Sequence, residues 1–227
     1  MTILYEDNHI IAVNKNSSEI VQGDKTGDKP LSETIKTYIK EKYNKPGEVF
    51  LGVTHRLDRP VSGVVLFAKT SKALARLNDM FRNQEVKKTY WAIVQNRPKE
   101  PEGRLEHYLV RNEKQNKSFA YSDERKNAKK AALTYKLIAA SDRYFLLEVQ
   151  LETGRHHQIR CQLAAMGCPI KGDLKYGFAR SNPNAGISLH ARSVSFIHPV
   201  SKEKIHITAP VPQDDKLWKS FEEMVKE

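Results

Sequence analysis

Residues 55–70 read HRLDRPVSGVVLFAKT, a charged turn that runs directly into an apolar segment. The apolar segment from Val64 to Lys69 predicts a buried strand. Thr70 or Ser71 follows at once, and a hydroxyl side chain at this position is suited to cap a helix. The stretch therefore predicts a strand followed by a helix, with one acid, Asp58, in the turn before the strand.

The chain on either side of this stretch continues to alternate strands and helices, without internal repeats. Residues 145–151 alternate apolar and polar side chains, which is the period of a half-buried strand. Gly167 is placed to end a helix that carries Ile159 and Leu163 on one face. Further strands are predicted at 3–5, 9–14, 90–94, 188–197 and 204–208, and further helices at 35–43 and 214–225. Because no Pro/Gly/Ser-rich linker divides the chain, we expect a single α+β domain over residues 1–227, with a mixed, largely antiparallel sheet flanked by helices.

The composition indicates a folded protein with a polyanionic partner. Its 227 residues are 39% hydrophobic, and 38 Lys and Arg against 27 Asp and Glu give a net charge of +11. A surplus of this size attracts phosphates, so nucleic acid is a better candidate than a membrane surface. No apolar run approaches the roughly 18 residues of a spanning helix, and the amino terminus lacks a signal-peptide pattern, so we expect a cytoplasmic protein. Cys161 and Cys168 are expected to be buried and reduced.

Asp58 is the first candidate for chemistry. It lies between Arg56 and Arg59, and two adjacent guanidinium groups stabilise its charged form. An ionised carboxylate can act as a nucleophile or as the partner of a cation, whereas a general acid must be protonated. A salt-bridged surface acid is the alternative, and sequence spacing alone does not decide between the two.

Hydrolytic chemistry has less support in the sequence. A glycoside hydrolase needs a second carboxylate across the scissile bond, and none stands beside Asp58 in sequence. A metal centre needs clustered ligands. His156 and His157 are adjacent, so on a helix we expect their side chains to point apart, and His190 and His206 are far from them in sequence. We therefore expect no metal site.

Residues 151–173, LETGRHHQIRCQLAAMGCPIKGD, form a second stretch with concentrated polar chemistry. It leaves a strand, turns at Gly154 and places polar side chains around the first turns of a helix, where backbone N–H groups already favour anions. These side chains are Arg155, His156, His157, Gln158 and Arg160. They predict a cationic ledge for a phosphate or a carboxylate, although an ordinary basic helix start has a similar composition.

A third region, residues 111–130, is strongly basic, with few apolar side chains. This pattern predicts a solvated hairpin or loop. Its lysines Lys126, Lys129 and Lys130 are candidates for neutralising the phosphates of a nucleic acid, and a merely solvated charge run is an equally good interpretation.

Five ordered motifs run through the chain: HRLD with a following SG, then KKTY, TGRxHQIR, GxPIxGDxxYG and LHAxxxxFxHP. Together they resemble the RluA family of RNA pseudouridine synthases over nearly the whole chain. The resemblance implies isomerisation of a uridine in ribosomal or transfer RNA, without cofactor or metal. The base is detached from C1′, rotated and rejoined through C5. It also implies that Asp58 is the nucleophile, that Arg56 fills the space of the flipped base, that Tyr90 stacks on the base and assists proton removal, and that Arg160 pairs with Asp58.

The resemblance further implies where the RNA binds. The expected contacts are His55 and Arg56 from the HRLD motif, with Gly154, Arg155, His157 and Gln158 from the second stretch. Many members carry a separate amino-terminal S4 domain, which we do not expect here, and the usual NKPxG is replaced by NKNSSE. We expect a monomer acting on an RNA stem-loop. A catalytically silent RNA-binding module and a metal-dependent RNA hydrolase remain the alternatives.

Overall fold

The computed structural model describes residues 1–24 and 26–226. Contacts between Cα atoms group the chain into two compact units. The first comprises Met1–Lys87 and Ala191–Pro210, and the second comprises Lys88–His190 with the segment that starts at Val211. No helix in the described part of the chain is both long and apolar enough to cross a membrane. The single-domain interpretation stays a prediction.

The first unit combines antiparallel strand pairs with two helices. β2 pairs with β1 and β4, β3 pairs with β4, β11 pairs with β10, and β10 lies beside β4. The bounds are β1 Thr2–Glu6, β2 Ile10–Lys15, α1 Leu31–Lys42, β3 Gly52–Val53, β4 Ser62–Ala68, α2 Ser71–Arg82, β10 Leu189–Ile197, of which the residues from Ala191 belong here, and β11 Lys204–Thr208.

The core of this unit follows from the apolar runs of β2 and β4. Ile10–Val13 and Val64–Ala68 are almost completely buried, because both faces of these central strands are covered. α2 begins as predicted, since the Thr70 hydroxyl accepts a hydrogen bond from the backbone N–H of Ala73 at 3.2 Å. The strand–helix unit predicted from residues 55–70 is confirmed.

Gly63 explains the SG pair after the HRLD motif. Its φ is +117°, and a Cβ built there would lie 2.3 Å from the carbonyl oxygen of Ala191. Any side chain would collide with the neighbouring backbone. This glycine therefore allows β4 and β10 to approach closely at the point where the chain leaves the Asp58 turn.

The second unit is an antiparallel sheet with the strand order β5-β9-β8-β6-β7. Its bounds are β5 Lys87–Val94, β6 Glu102–Asn112, β7 Lys117–Tyr121, β8 Lys129–Ala140, β9 Phe145–Leu151, α3 Gln158–Ala165, a 3₁₀ turn at Leu174–Tyr176 and α4 Lys216–Lys226. α3 ends before Gly167, whose φ is +84°, as predicted. The predicted α+β class with largely antiparallel strands is confirmed.

The two faces of this sheet carry different helices. On one face, Ala131 of β8 clusters with Cys161 of α3. On the other face, Trp91 and Ile93 of β5 cluster with Phe221 of α4. Successive residues of a strand point to opposite faces, so Tyr90 projects away from the α4 side. Tyr90 and α3 therefore share one face of the sheet.

Candidate active site

Asp58 lies in a turn that a buried lysine holds in place. The backbone N–H of Val61 donates to the carbonyl of Asp58 at 3.0 Å. Lys15, at the end of β2, is fully buried, and its Nζ donates to the carbonyls of Arg59 at 3.1 Å and Val61 at 2.6 Å, as well as to Asn16 at 2.9 Å. The lysine thus fixes the chain immediately after the partly exposed Asp58.

Lys15 also places a positive charge near the Asp58 carboxylate. Burial lowers the pKa of Lys15 to about 8, while the carboxylates of Glu19 and Asp58 act in the opposite direction. The charges of Lys15 and Asp58 therefore attract each other. From the sequence, the two flanking arginines were expected to have this electrostatic role.

The flanking residues of the HRLD motif have separate environments. Arg56 is exposed, as a side chain that enters an RNA helix would have to be. Arg59 is also exposed, and it forms an ion pair with Asp28. His55 was predicted to contact substrate, but its Nε2 accepts the backbone N–H of Leu66 at 3.0 Å and its ring lies 4.9 Å from that of Phe81. These contacts hold His55 within the unit, and its predicted contact with substrate stays a prediction.

Tyr90 lies in the second unit, on the sheet face that carries α3. It is 8% exposed and stands opposite Val149 of β9. Lys88, two residues earlier on the same strand, projects to the same face, and its Nζ lies 3.6 Å from the Cβ position of Gly154. Burial lowers the pKa of Lys88. This face therefore presents a tyrosine and a desolvated lysine next to the TGR turn.

Gln158 holds the TGR turn together. Its Oε1 accepts the hydroxyl of Thr153 at 2.7 Å and the backbone N–H of Arg155 at 2.9 Å, and its Nε2 donates to the carbonyl of Ala132 at 3.0 Å. Gln158 is buried, whereas Gly154 and Arg155 are exposed. The structure thus favours RNA contacts from the two exposed residues and a positioning role for Gln158.

The prediction that His156 and His157 point apart was wrong. Their rings stack with centroids 3.8 Å apart and an interplanar angle of 20°. The reason is that His157 precedes the helix in a left-handed conformation with φ 53°, so helical geometry does not apply to the pair. His157 is buried and its Nδ1 lies 3.0 Å from the Tyr176 hydroxyl. Burial, followed by the charge of Arg160, lowers the pKa of His157 to about 2, which indicates a neutral supporting side chain.

Arg160 has a partner that the sequence argument did not name. Its Nε and Nη2 donate to the two carboxylate oxygens of Asp173 at 2.7 and 2.9 Å, and both side chains are buried. A bidentate pair of this kind fixes the guanidinium plane. Asp58 belongs to the first unit and Arg160 to the second, and the predicted pair between them stays a prediction.

The basic segment at residues 111–130 is a hairpin followed by a loop, as predicted. Lys126 and Lys129 are exposed. Lys130 is also exposed, but its Nζ lies 2.7 Å from Glu106, so its charge is partly compensated. Of the three predicted phosphate contacts, Lys126 and Lys129 are therefore the better candidates.

A family model described as RNA pseudouridylate synthase matches residues 9–165. The chain belongs to this family. Its members are isomerases that convert uridine in RNA to pseudouridine, and the RluA resemblance of the five motifs agrees with the match.

Similar pseudouridine synthases extend along nearly all of the chain. A Synechocystis protein named as an uncharacterised RNA pseudouridine synthase is 34% identical and covers 93% of the chain, which spans 66% of that relative. tRNA pseudouridine synthase C of Vibrio vulnificus is 32% identical, with 97% of this chain and 94% of the relative covered. Ribosomal large subunit pseudouridine synthase D of Zymomonas mobilis is 31% identical, with 96% and 71% covered.

A solved structure supports the same fold. The human RNA pseudouridylate synthase domain containing 4 protein superposes with a TM-score of 0.79 at 23% identity, covering 99% of this chain and 93% of that one. At this identity the likeness concerns the fold alone.

Sequence reasoning missed several residues of the candidate site, namely Lys15, Lys88 and Asp173. Each lies in or beside a motif, since Asp173 is the acid of the GxPIxGDxxYG pattern and Lys88 belongs to KKTY. Lys15 ends an otherwise apolar strand, which is a weak signal for a buried lysine. No cluster of three or more His, Cys, Asp or Glu side chains suited to a metal ion occurs within residues 1–24 and 26–226.

Proposed function

We propose that Asp58 carries out the isomerisation of specific uridines in structured ribosomal or transfer RNA. The observation that supports this assignment is the partly exposed Asp58 carboxylate on a turn fixed by the buried Lys15 ammonium group. An aspartate is ionised at neutral pH, and a fixed backbone with a nearby cation holds the carboxylate in one geometry for attack.

The proposed reaction breaks one bond to the sugar and forms another. Asp58 acts as the nucleophile toward the nucleoside and forms a transient bond to it, and the N1–C1′ bond of the uridine breaks. The base turns in its pocket, its C5 bonds to C1′, and the bond to Asp58 breaks, which releases the carboxylate. The proton leaves C5, N1 gains a proton from solvent, and the composition of the RNA does not change. The hydrogen lost from C5 provides a direct assay.

Tyr90 and Arg160 are proposed to serve the base and the carboxylate. Tyr90 offers a flat apolar ring with a polar tip on the sheet face shared with α3, which suits a pyrimidine. Its hydroxyl would assist loss of the C5 proton. Arg160, oriented by Asp173, would donate hydrogen bonds to Asp58.

The other proposed contacts with RNA come from basic side chains and one glycine. A base inside a helix has to be extruded before it can react, and exposed Arg56 is proposed to fill the space that it leaves. Arg155 and Gly154 would line the pocket near a phosphate. Lys126 and Lys129 would neutralise phosphates farther along the RNA.

The oligomeric state and the cellular location of the protein belong to the same proposal. We propose a monomer that works in the cytoplasm, where uridines of ribosomal and transfer RNA are accessible. A particle mass in solution twice that of the chain would contradict the monomer.

The test measures chemistry and binding on the same variant. Asp58→Asn preserves shape and removes the reactive charge, so tritium release from RNA labelled at uridine C5 should vanish while RNA still binds. Lys40→Met, on an exposed helix position, is the matched control and should retain full activity. Tritium release that survives in Asp58→Asn, with deamidation excluded by mass spectrometry, would contradict the assignment. Loss of wild-type activity with EDTA, restored by a divalent metal, would favour the metal-dependent hydrolase instead.

A further inference from the structure

The hairpin of β6 and β7 has a hollow on the face turned away from α3. Ser118 of β7 points to the α3 side, where its hydroxyl lies 2.9 Å from His156 Nδ1. Its neighbours therefore project to the opposite face. There Phe119 stands directly opposite Val110, and together with Tyr121 these side chains form the apolar floor of a hollow of about 550 Å³.

The size and the floor of the hollow suit a flat apolar ligand. Pockets that bind small molecules measure about 300–1,000 Å³, so a nucleotide can be accommodated. Phe119 and Tyr121 are only half-buried, although the helices α3 and α4 and the strands between them already supply cores for the unit. Aromatic faces that remain accessible beside basic residues are the usual platform for unpaired bases.

Basic side chains surround this floor. Lys114 lines the rim beside Glu113, and Arg111 lies at the edge of the hollow, opposite Ser118, with its side chain toward the α3 side. The guanidinium of Arg125 covers one face of Tyr121, 3.8 Å from its ring centroid, and its Nε pairs with Asp123 at 3.2 Å, so the opposite face of the ring is the one open to a base. The rim thus favours an anion next to the aromatic floor, as a nucleotide requires, since its phosphate and base lie side by side.

Lys117 connects the hollow with the α3 side of the sheet. Its Nζ lies 5.4 Å from the ring of Phe119, which faces the hollow, and 5.1 Å from the ring of Tyr176, which packs on the α3 side. Arg111, at the edge of the hollow, also contributes to the low pKa of His157 through its charge, after burial and nearer cations. Positive charge is therefore continuous around the β7 edge from the α3 face to the hollow.

We propose that this hollow binds an unpaired nucleotide of the RNA, outside the target uridine, with its base on Phe119 and Tyr121 and its phosphate on Lys114. The inference rests on the proposed function in naming RNA as the partner. An acidic peptide would use the cations but gain little from the aromatic floor. A base-paired duplex would present phosphates but no accessible base faces.

The test uses fluorescein-labelled octauridylate and a short blunt RNA duplex as probes, with binding followed by fluorescence anisotropy. Phe119→Leu and Tyr121→Leu retain apolar side chains without the rings, and each should raise the Kd for octauridylate at least fivefold, because stacking of one base contributes roughly 5- to 150-fold. Tyr121→Phe keeps the ring and should change the Kd by less than about twofold. The Kd for the duplex should change by less than about twofold in all three variants.

Two further measurements separate stacking from charge and from misfolding. Lys114→Ala should reduce the slope of log affinity against log salt by about 0.7 on octauridylate. Octauridylate that carries 5-iodouridine should photocrosslink to the wild-type protein at Phe119 or Tyr121, which needs no substitution. Phe50→Leu, at an exposed phenylalanine of the other unit, is the matched control and should bind as wild type.

The inference would be overturned if the variants lost affinity for octauridylate and for the duplex equally, or if Phe50→Leu lost as much. Crosslinks found only outside the hairpin would also overturn it. So would displacement of octauridylate by polyglutamate with the same dependence on Phe119. Tritium release keeps the two proposals apart. If wild type isomerises uridine but Phe119→Leu binds normally, the hollow is rejected and the function stands. If wild type binds octauridylate through Phe119 but releases no tritium, the proposed function is rejected and the hollow stands.

Discussion

Replacing Lys15 by Met tests the electrostatic environment of the Asp58 turn. The change removes a fully buried ammonium group that donates to three carbonyls, of Asn16, Arg59 and Val61. Without Lys15, one buried and two partly buried carbonyls each lose a hydrogen-bond donor, which costs about 3–6 kcal/mol in all. The change also relieves the cost of burying the charge, since a pKa lowered from 10.5 to about 8 corresponds to about 3 kcal/mol. At pH 7.5 we therefore expect a net destabilisation of at most about 3 kcal/mol.

The pH dependence gives the sharper signature. Between pH 8 and 10.5 the unfolded wild-type chain keeps the Lys15 proton while the folded protein loses it, so the unfolded state binds more protons. The stability of the wild type must then rise with pH through this window, relative to a variant without the group. From pH 7.5 to 9.5 the difference in unfolding free energy between wild type and Lys15→Met should grow by about 2 kcal/mol.

Urea unfolding at a series of pH values measures this difference, because titrations common to both proteins cancel. Lys40→Met changes an exposed lysine of α1 and should shift the unfolding free energy by less than about 0.5 kcal/mol at every pH. A difference for Lys15→Met that does not vary with pH would refute the lowered pKa. A variant more stable than wild type at pH 9.5 would show that the three carbonyls do not depend on Lys15.

Two further predictions concern turnover and affinity. Tyr90→Phe keeps the stacking ring but removes the hydroxyl, so the rate of tritium release should fall far more than RNA affinity, and normal turnover would deny the hydroxyl a role in proton transfer. Changing Lys126 and Lys129 together to Ala should weaken RNA binding and reduce its salt slope by about 0.7–0.9 per lost contact, with turnover at saturating RNA unchanged. Lys130→Ala should alter the slope less, because Glu106 already compensates that charge, and equal effects from all three lysines would contradict this ranking.

Elements whose signals are local were predictable from the sequence. β4 is a continuous apolar run, α2 has its cap at Thr70, and α3 ends before a glycine with positive φ, so neighbouring residues alone define them. β6 and β8 were not recognised as strands. Their exposed positions carry charges such as Arg104 and Glu106, which form ion pairs across the sheet and resemble a solvated loop when read in sequence.

The candidate site shows the same division between local and distant information. The motifs named the groups proposed to take part in the reaction, including Asp58 and Arg160, because each is read from its own stretch. They did not reveal which side chains hold those groups, because Lys15 is 43 positions from Asp58 in the numbering and approaches it only through the pairing of β2 with β4. The stacking of His156 on His157 depends on one left-handed residue, for which the sequence gives no signal.

The Asp173 pair changes the part that Arg160 can play at the reactive carboxylate. Asp173 offsets the charge of the guanidinium and uses two of its five N–H groups, so Arg160 would serve Asp58 as an oriented hydrogen-bond donor more than as a full counter-charge. A counter-charge within the unit of Asp58 is supplied by Lys15, whose lowered pKa means that this charge begins to fade above about pH 8. In the proposed site, the cations near Asp58 would therefore be a titrating lysine and a guanidinium that stays charged, and the lysine's contribution would weaken as the pH rises.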